Sequence, residues 1–84
     1  GKLGSHRVSL VFSTLERDAV DEILARLREI GYVIVSFELE NERTATGIIY
    51  RARLLIQIRK NRRSDEAFLE VLQSDKRILV ERLI

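Results

Sequence analysis

An α+β sandwich, in which one antiparallel sheet is shielded by helices on a single face, is the fold class this sequence predicts. Three observations carry that expectation. Residues 48–59 keep a strict two-residue period, the repeat of a strand. Two other stretches place apolar residues at three- and four-residue steps, the repeat of an amphipathic helix. The segments succeed one another as strand, helix, strand, strand, helix, strand, which is the order of two crossover units joined by a hairpin.

The first strand is RVSLVFS, with Val8, Leu10 and Phe12 on one face and Ser9 and Val11 on the other. Ser13 and Glu16 have the spacing of a capping box, so a helix is expected to start there. Val20, Ile23, Leu24, Leu27 and Ile30 form its apolar stripe, and Gly31 supplies the left-handed residue that ends it. In YVIVSFELE the expected inward set is Val33, Val35, Phe37 and Leu39, with Ile34, Ser36, Glu38 and Glu40 on the reverse side. NERTATG reads as a hairpin loop. The third strand follows, with Ile48, Tyr50, Ala52, Leu54, Ile56 and Ile58 facing the helices. Ser64 is the expected N-cap of the second helix, Asp65 and Glu66 suit its positive end, and Phe68, Val71 and Leu72 supply its apolar side. RILVERLI is the last strand; with Ile78 and Val80 inward, Leu79 and Leu83 would face outward. Together these elements make a ferredoxin-like βαββαβ domain over residues 7–84, with strand order 4-1-3-2. Residues 1–6, GKLGSH, read as a remnant of tag removal ahead of a fragment of a longer protein.

With 84 residues the chain holds one small core and has little stability to spare. Charged residues are 33% of the chain but leave a net charge of only +2, a weak electrostatic signal for nucleic acid. The absence of cysteine removes disulfides and thiol chemistry, and no apolar run reaches the length of a membrane span.

The uncovered sheet face is the expected site of function. On it fall Ile34, Glu38, Glu40, Ile49, Arg51, Arg53, Leu55 and Arg59. Glu38 and Glu40 should lie opposite or diagonal to Arg51 and Arg53 and pair with them, which makes the charges a surface network before anything else. RNA-recognition sheets stack bases on outward aromatic rings. The outward positions here, Ser9, Val11, Ile49, Arg51 and Arg53, carry none, so nucleic acid is not the expected ligand. The interspersed aliphatic residues favour contact with a protein partner or with a second copy.

Catalysis is not expected. The sole histidine, His6, lies in the presumed remnant, so no serine has a general base. Asp18 with Glu22, and Arg17 with Asp21, have the four-residue spacing of a solvated helix face. No residues call for a cofactor or metal. An acylphosphatase-like enzyme is a third option, since that topology is shared, but STLERDA offers Arg17 without a glycine-rich phosphate cradle.

The run from RVSLVFS through LREIGYVIVSFELE and YRARLLIQIRK to SDEAFLEVLQSDKRILVERLI resembles ACT-type domains, and more narrowly the C-terminal domain of the MgtC/SapB family of bacterial membrane proteins. The resemblance implies a non-catalytic regulatory or interaction domain on the cytoplasmic side of the inner membrane, in proteins tied to growth in low magnesium and survival inside host cells. It also admits a dimeric ACT-like sensor of a small metabolite. ACT domains that bind amino acids carry an Asp-x-Pro-Gly turn after the first strand; STLERDA has neither the proline nor the glycine.

Overall fold

A computed structural model describes residues 5–59 and 62–84, with side chains described for 6–58 and 67–84. The elements are β1 (Ser5–Thr14), α1 (Arg17–Ile30), β2 (Val33–Thr44), β3 (Gly47–Arg59), α2 (Arg62–Ser74) and β4 (Ile78–Leu83). All strand pairs are antiparallel, in the order β2-β3-β1-β4. This is the expected 4-1-3-2 sheet, and the fold is α+β, consistent with a ferredoxin-like arrangement. β1 is already formed at Ser5 and His6, which pair with Arg59 and Ile58.

The core lies between the helices and one face of the sheet. Leu10, Phe12, Ala52, Leu54, Ile56 and Ile58 come from the two central strands, and Val20, Ile23, Leu24 and Leu27 come from α1. Phe68, Val71 and Leu72 come from α2. Tyr50 and Leu54 face the helices, Tyr50 half-buried against the core and Leu54 fully within it. Ile30, expected in the stripe of α1, is 43% exposed because it sits at the last position before the chain turns away.

Gly31 ends α1 at φ 113, and two backbone bonds close the turn. Its N–H donates to the Arg28 carbonyl at 3.0 Å, and the Tyr32 N–H donates to the Leu27 carbonyl at 3.1 Å. This is a Schellman closure, and it brings Tyr32 back under the helix beside Leu27. The Tyr32 ring meets Phe68 edge-on, with centroids 5.4 Å apart and planes at 86°, so it ties the end of α1 to α2.

The two helix starts differ from expectation. β1 continues to Thr14, so Ser13 is a strand residue and cannot cap α1. Glu16 occupies the cap position without a side-chain cap bond. The local turn is closed instead by Thr14, whose Oγ1 accepts the Glu16 N–H at 3.0 Å. α2 is running by Arg62, which places Ser64 inside its first turn and not at the cap. The side chains of Ser64, Asp65 and Glu66 lie outside the described residues.

β2 and β4, the two edge strands, each carry a bulge. In β2, Ile34 pairs with Ile56 and Ser36 with Leu55, so Val35 is the extra residue. The bulge reverses the expected phase of the first residues: Ile34 packs toward the core opposite Ile56, and Val33 lies on the open face opposite Gln57. Beyond the bulge Phe37 and Leu39 face the helix side, as expected. In β4 the shift falls at Glu81, so Leu83 lies opposite the buried Leu10 and not on the open face. Leu79 is outward, opposite Ser13, as expected. The hairpin loop is shorter than NERTATG implies. Strands reach Thr44 and Gly47, leaving Ala45 and Thr46 as the turn, with Gly47 following at φ 147.

Gly31→Ala should lower stability by about 1 kcal/mol or more. The cost is backbone strain alone, since nothing lies within 4 Å of an added Cβ. Phe12→Ala should lower it by about 3–5 kcal/mol, enough to leave much of a domain this small unfolded. Urea denaturation followed by circular dichroism measures both; a Gly31→Ala chain as stable as wild type would refute the assigned closure.

Candidate functional site

The sheet face away from the helices is built in rows, because residues in register across antiparallel strands point the same way. One row runs Glu38, Arg53, Val11, Arg82 from β2 to β4. The next runs Glu40, Arg51, Ser13, Leu79. On the other side lies Ser36, Leu55, Ser9, and Ile84 completes that row through two backbone bonds to Ser9 at 2.9 and 3.0 Å. Glu42 and Ile49 extend the face at the hairpin end.

Of the eight expected site residues, the structure gathers Glu38, Glu40, Ile49, Arg51, Arg53 and Leu55 on this face. Ile34 does not belong to it, because the Val35 bulge turns it inward. Arg59 is placed in β3 opposite Ser5, and its side chain lies outside the described residues.

Arg51 is the organising group. Its Nε and Nη2 donate to the two carboxylate oxygens of Glu81 at 2.8 and 3.3 Å, a two-point contact that spans β1. Its Nη1 reaches Glu42 on β2 at 3.5 Å. One guanidinium on β3 therefore links both edge strands across the open face. Arg53 donates to Glu40 at 3.3 Å, so both arginines pair along the diagonal and not straight across. Beneath this lattice Val11 and Ser13 are 6% and 8% exposed, although they lie on the side of the sheet with no helices. The hydrogen bond to Arg51 holds the Glu81 carboxyl below its usual range, aided by Ser13 and against the cost of burial. Arg51 is in turn held more firmly protonated by Glu81.

Sequence reading missed Glu81 and Glu42 as partners of Arg51. Glu42 sat in the expected loop, and Glu81 reaches Arg51 only because the bulge and the register of β4 bring it across β1. Glu22 is on the solvated face of α1, as expected, and nothing in the sequence signals its partner. It accepts from Arg77 at 2.7 Å, and Arg77 is fastened to Asp75 at 2.6 and 2.9 Å. The Arg77 contacts, with a backbone N–H bond at 3.0 Å, hold the Asp75 carboxyl below its ordinary value. This cluster fixes the α2–β4 turn against α1 and lies apart from the open face.

Arg17 pairs with Asp21 on the surface of α1 at 3.1 Å, and only Leu15 and Glu16 join β1 to that helix. Among the described residues there is no cluster of three or more metal-ligating side chains, and no helix is long and apolar enough to cross a membrane. No protein-family model matches the chain, and no curated protein is similar to it.

The depressed carboxyls set a pH dependence with a definite sign. Asp75 and Glu81 bind protons less readily folded than unfolded, so their stabilisation is complete above the unfolded carboxylate range of about 4. It is lost as pH falls through their lower folded values. Asp75→Asn and Glu81→Gln should each be less stable than wild type at neutral pH, and each difference should shrink as pH falls below about 4. Urea melts across that range test this; a difference independent of pH would remove the ion-pair account.

Proposed function

We propose that this chain is a non-catalytic interaction domain that works by presenting its open sheet face to a protein. The observation that carries the reading is the composition of that face. A lattice of paired charges, Arg51 with Glu81 and Glu42, and Arg53 with Glu40, is bordered by Leu55, Ile49, Leu79, Val33 and Ile84. Leu79, Val33 and Ile84 are 65%, 59% and 73% exposed. Aliphatic groups around satisfied polar pairs suit a protein surface, where unpaired buried charge would be costly. A polyanion would have to break those pairs to use the two central arginines, and the face offers it no outward aromatic ring on β1 or β3 to stack against.

The setting implied by the resemblance to the MgtC/SapB family belongs to the same proposal: a regulatory module on the cytoplasmic side of a membrane protein, in bacteria limited for magnesium or living inside host cells. What supports it is the resemblance of those segments to the family and a βαββαβ order of the kind such ACT-like domains have.

A photocrosslinking residue placed at Leu55 or Ile49 in cells tests the reading. Each should give a discrete protein adduct, while the same residue at Asp18 or Glu29 on the outer side of α1 should give none. Equal yields from both sides, or none from the sheet side, would overturn the proposal.

A further inference from the structure

The charges on the open face are not evenly satisfied, and the imbalance has a direction. Glu38 on β2 makes no ion pair or hydrogen bond among the described residues, because Arg53, directly opposite, turns to Glu40 instead. Arg82 on β4 likewise has no described partner. Both side chains are exposed. They stand at opposite ends of one row, Glu38, Arg53, Val11, Arg82, separated by three strand spacings, roughly 14 Å. The face is therefore acidic along its β2 side, and among the described residues its unpartnered cations are Arg82 on β4 and Arg7 on β1, opposite Gln57.

We infer that the occupant of this face is a second copy of the chain, stacked sheet to sheet about a two-fold axis parallel to the strands and passing between β3 and β1. This rests on the interaction-domain reading and names the partner. Such an axis carries β2 of one copy over β4 of the other. Glu38 then meets Arg82 of the second copy, and the same contact occurs twice, as an isologous interface requires. Arg53 lies over Val11 of the second copy, and Leu55, Arg53 and Arg51 each approach their own copies beside the axis, the arginines already neutralised by Glu40, Glu42 and Glu81 within their own chain. A two-fold axis across the strands would instead place β2 on β2 and oppose like charges, so the polarity of the row selects one orientation.

Two further observations support this occupant. The strands of 10, 12, 13 and 6 residues give a face of roughly 600 Å², at the low end of what each partner contributes to a stable interface. Each edge strand carries a bulge, at Val35 and Glu81, which interrupts the continuous ladder that side-by-side pairing of copies would need.

Sedimentation velocity from micromolar to millimolar concentration tests the inference. The wild-type chain should dimerise, and more weakly in high salt. Glu38→Arg and Arg82→Glu should each weaken the dimer about tenfold or more, since each creates two like-charge contacts. An equimolar mixture of the two variant chains should recover wild-type affinity, as should the chain carrying both substitutions. Glu38→Gln and Arg82→Gln, which only delete a charge, should weaken it less and serve if a reversal disturbs folding. A wild-type chain that stays monomeric, a dimer insensitive to these changes, or a mixture that fails to recover would overturn the inference. A monomer that still gives the Leu55 adduct with another protein would sink this assignment alone; loss of the adduct sinks the interaction reading itself.

Discussion

Ala52, Leu54, Ile56 and Ile58 must all point at the helices if the sheet is to close its core, and that demand on β3 governs the rest of the molecule. β3 is paired on both sides, to β2 and to β1, so its pleat sets the facing of its neighbours. With those side chains committed inward, Arg51, Arg53 and Leu55 have one direction left. The core and the candidate site are thus two faces of a single strand. A one-residue slip of β3 would exchange them, burying two arginines against Phe12 and Leu10. The cost of burying those charges makes the register secure, and a secure register gives the open face a definite pattern.

That pattern was legible where the alternation was unbroken and illegible where it was not. Val8, Leu10 and Phe12 of β1 and the inward residues of β3 can be read from period two, and the hairpin sets Glu38 and Glu40 opposite or diagonal to Arg51 and Arg53. The failures cluster on the edge strands. Tyr32 to Val35 and Ile78 to Val80 are apolar runs, and such a run satisfies either phase equally well. A bulge costs little where only one neighbour must be matched, so both edges took one and Ile34 and Leu83 came out reversed. The helix starts failed for a related reason: Ser13 and Ser64 have good capping chemistry, but chemistry alone does not say how far β1 runs on or how early α2 begins.

The bulges do more than disturb a pattern. Without a shift at Glu81, Val80 inward would send Arg82 inward and Leu83 to the open face. The bulge holds Glu81 and Arg82 on the open side together and returns Leu83 to a position opposite Leu10. At Val35 the same device keeps Ile34 inward while letting Ser36, Glu38, Glu40 and Glu42 all reach the open side. Each edge thereby holds Ile34 or Leu83 on the helix side while setting Glu38, Glu40 and Glu42, or Glu81 and Arg82, on the open side, which an uninterrupted strand of this sequence could not do.

The electrostatics of the face follow from that sorting. Glu81, delivered by one bulge, neutralises Arg51 and covers Val11 and Ser13 with an ion pair in place of a helix. Arg53 is satisfied diagonally by Glu40, and this choice strands Glu38. Arg82, set outward by the same bulge that supplied Glu81, has no acid partner among the described residues. Glu38 and Arg82 are opposite in sign, lie in one row, and sit at opposite edges of the sheet. Within one copy the width of the sheet keeps them apart. Sheet-to-sheet stacking is the arrangement that brings them together while leaving the helix-side core undisturbed, because a two-fold rotation about the strand direction exchanges the two edges.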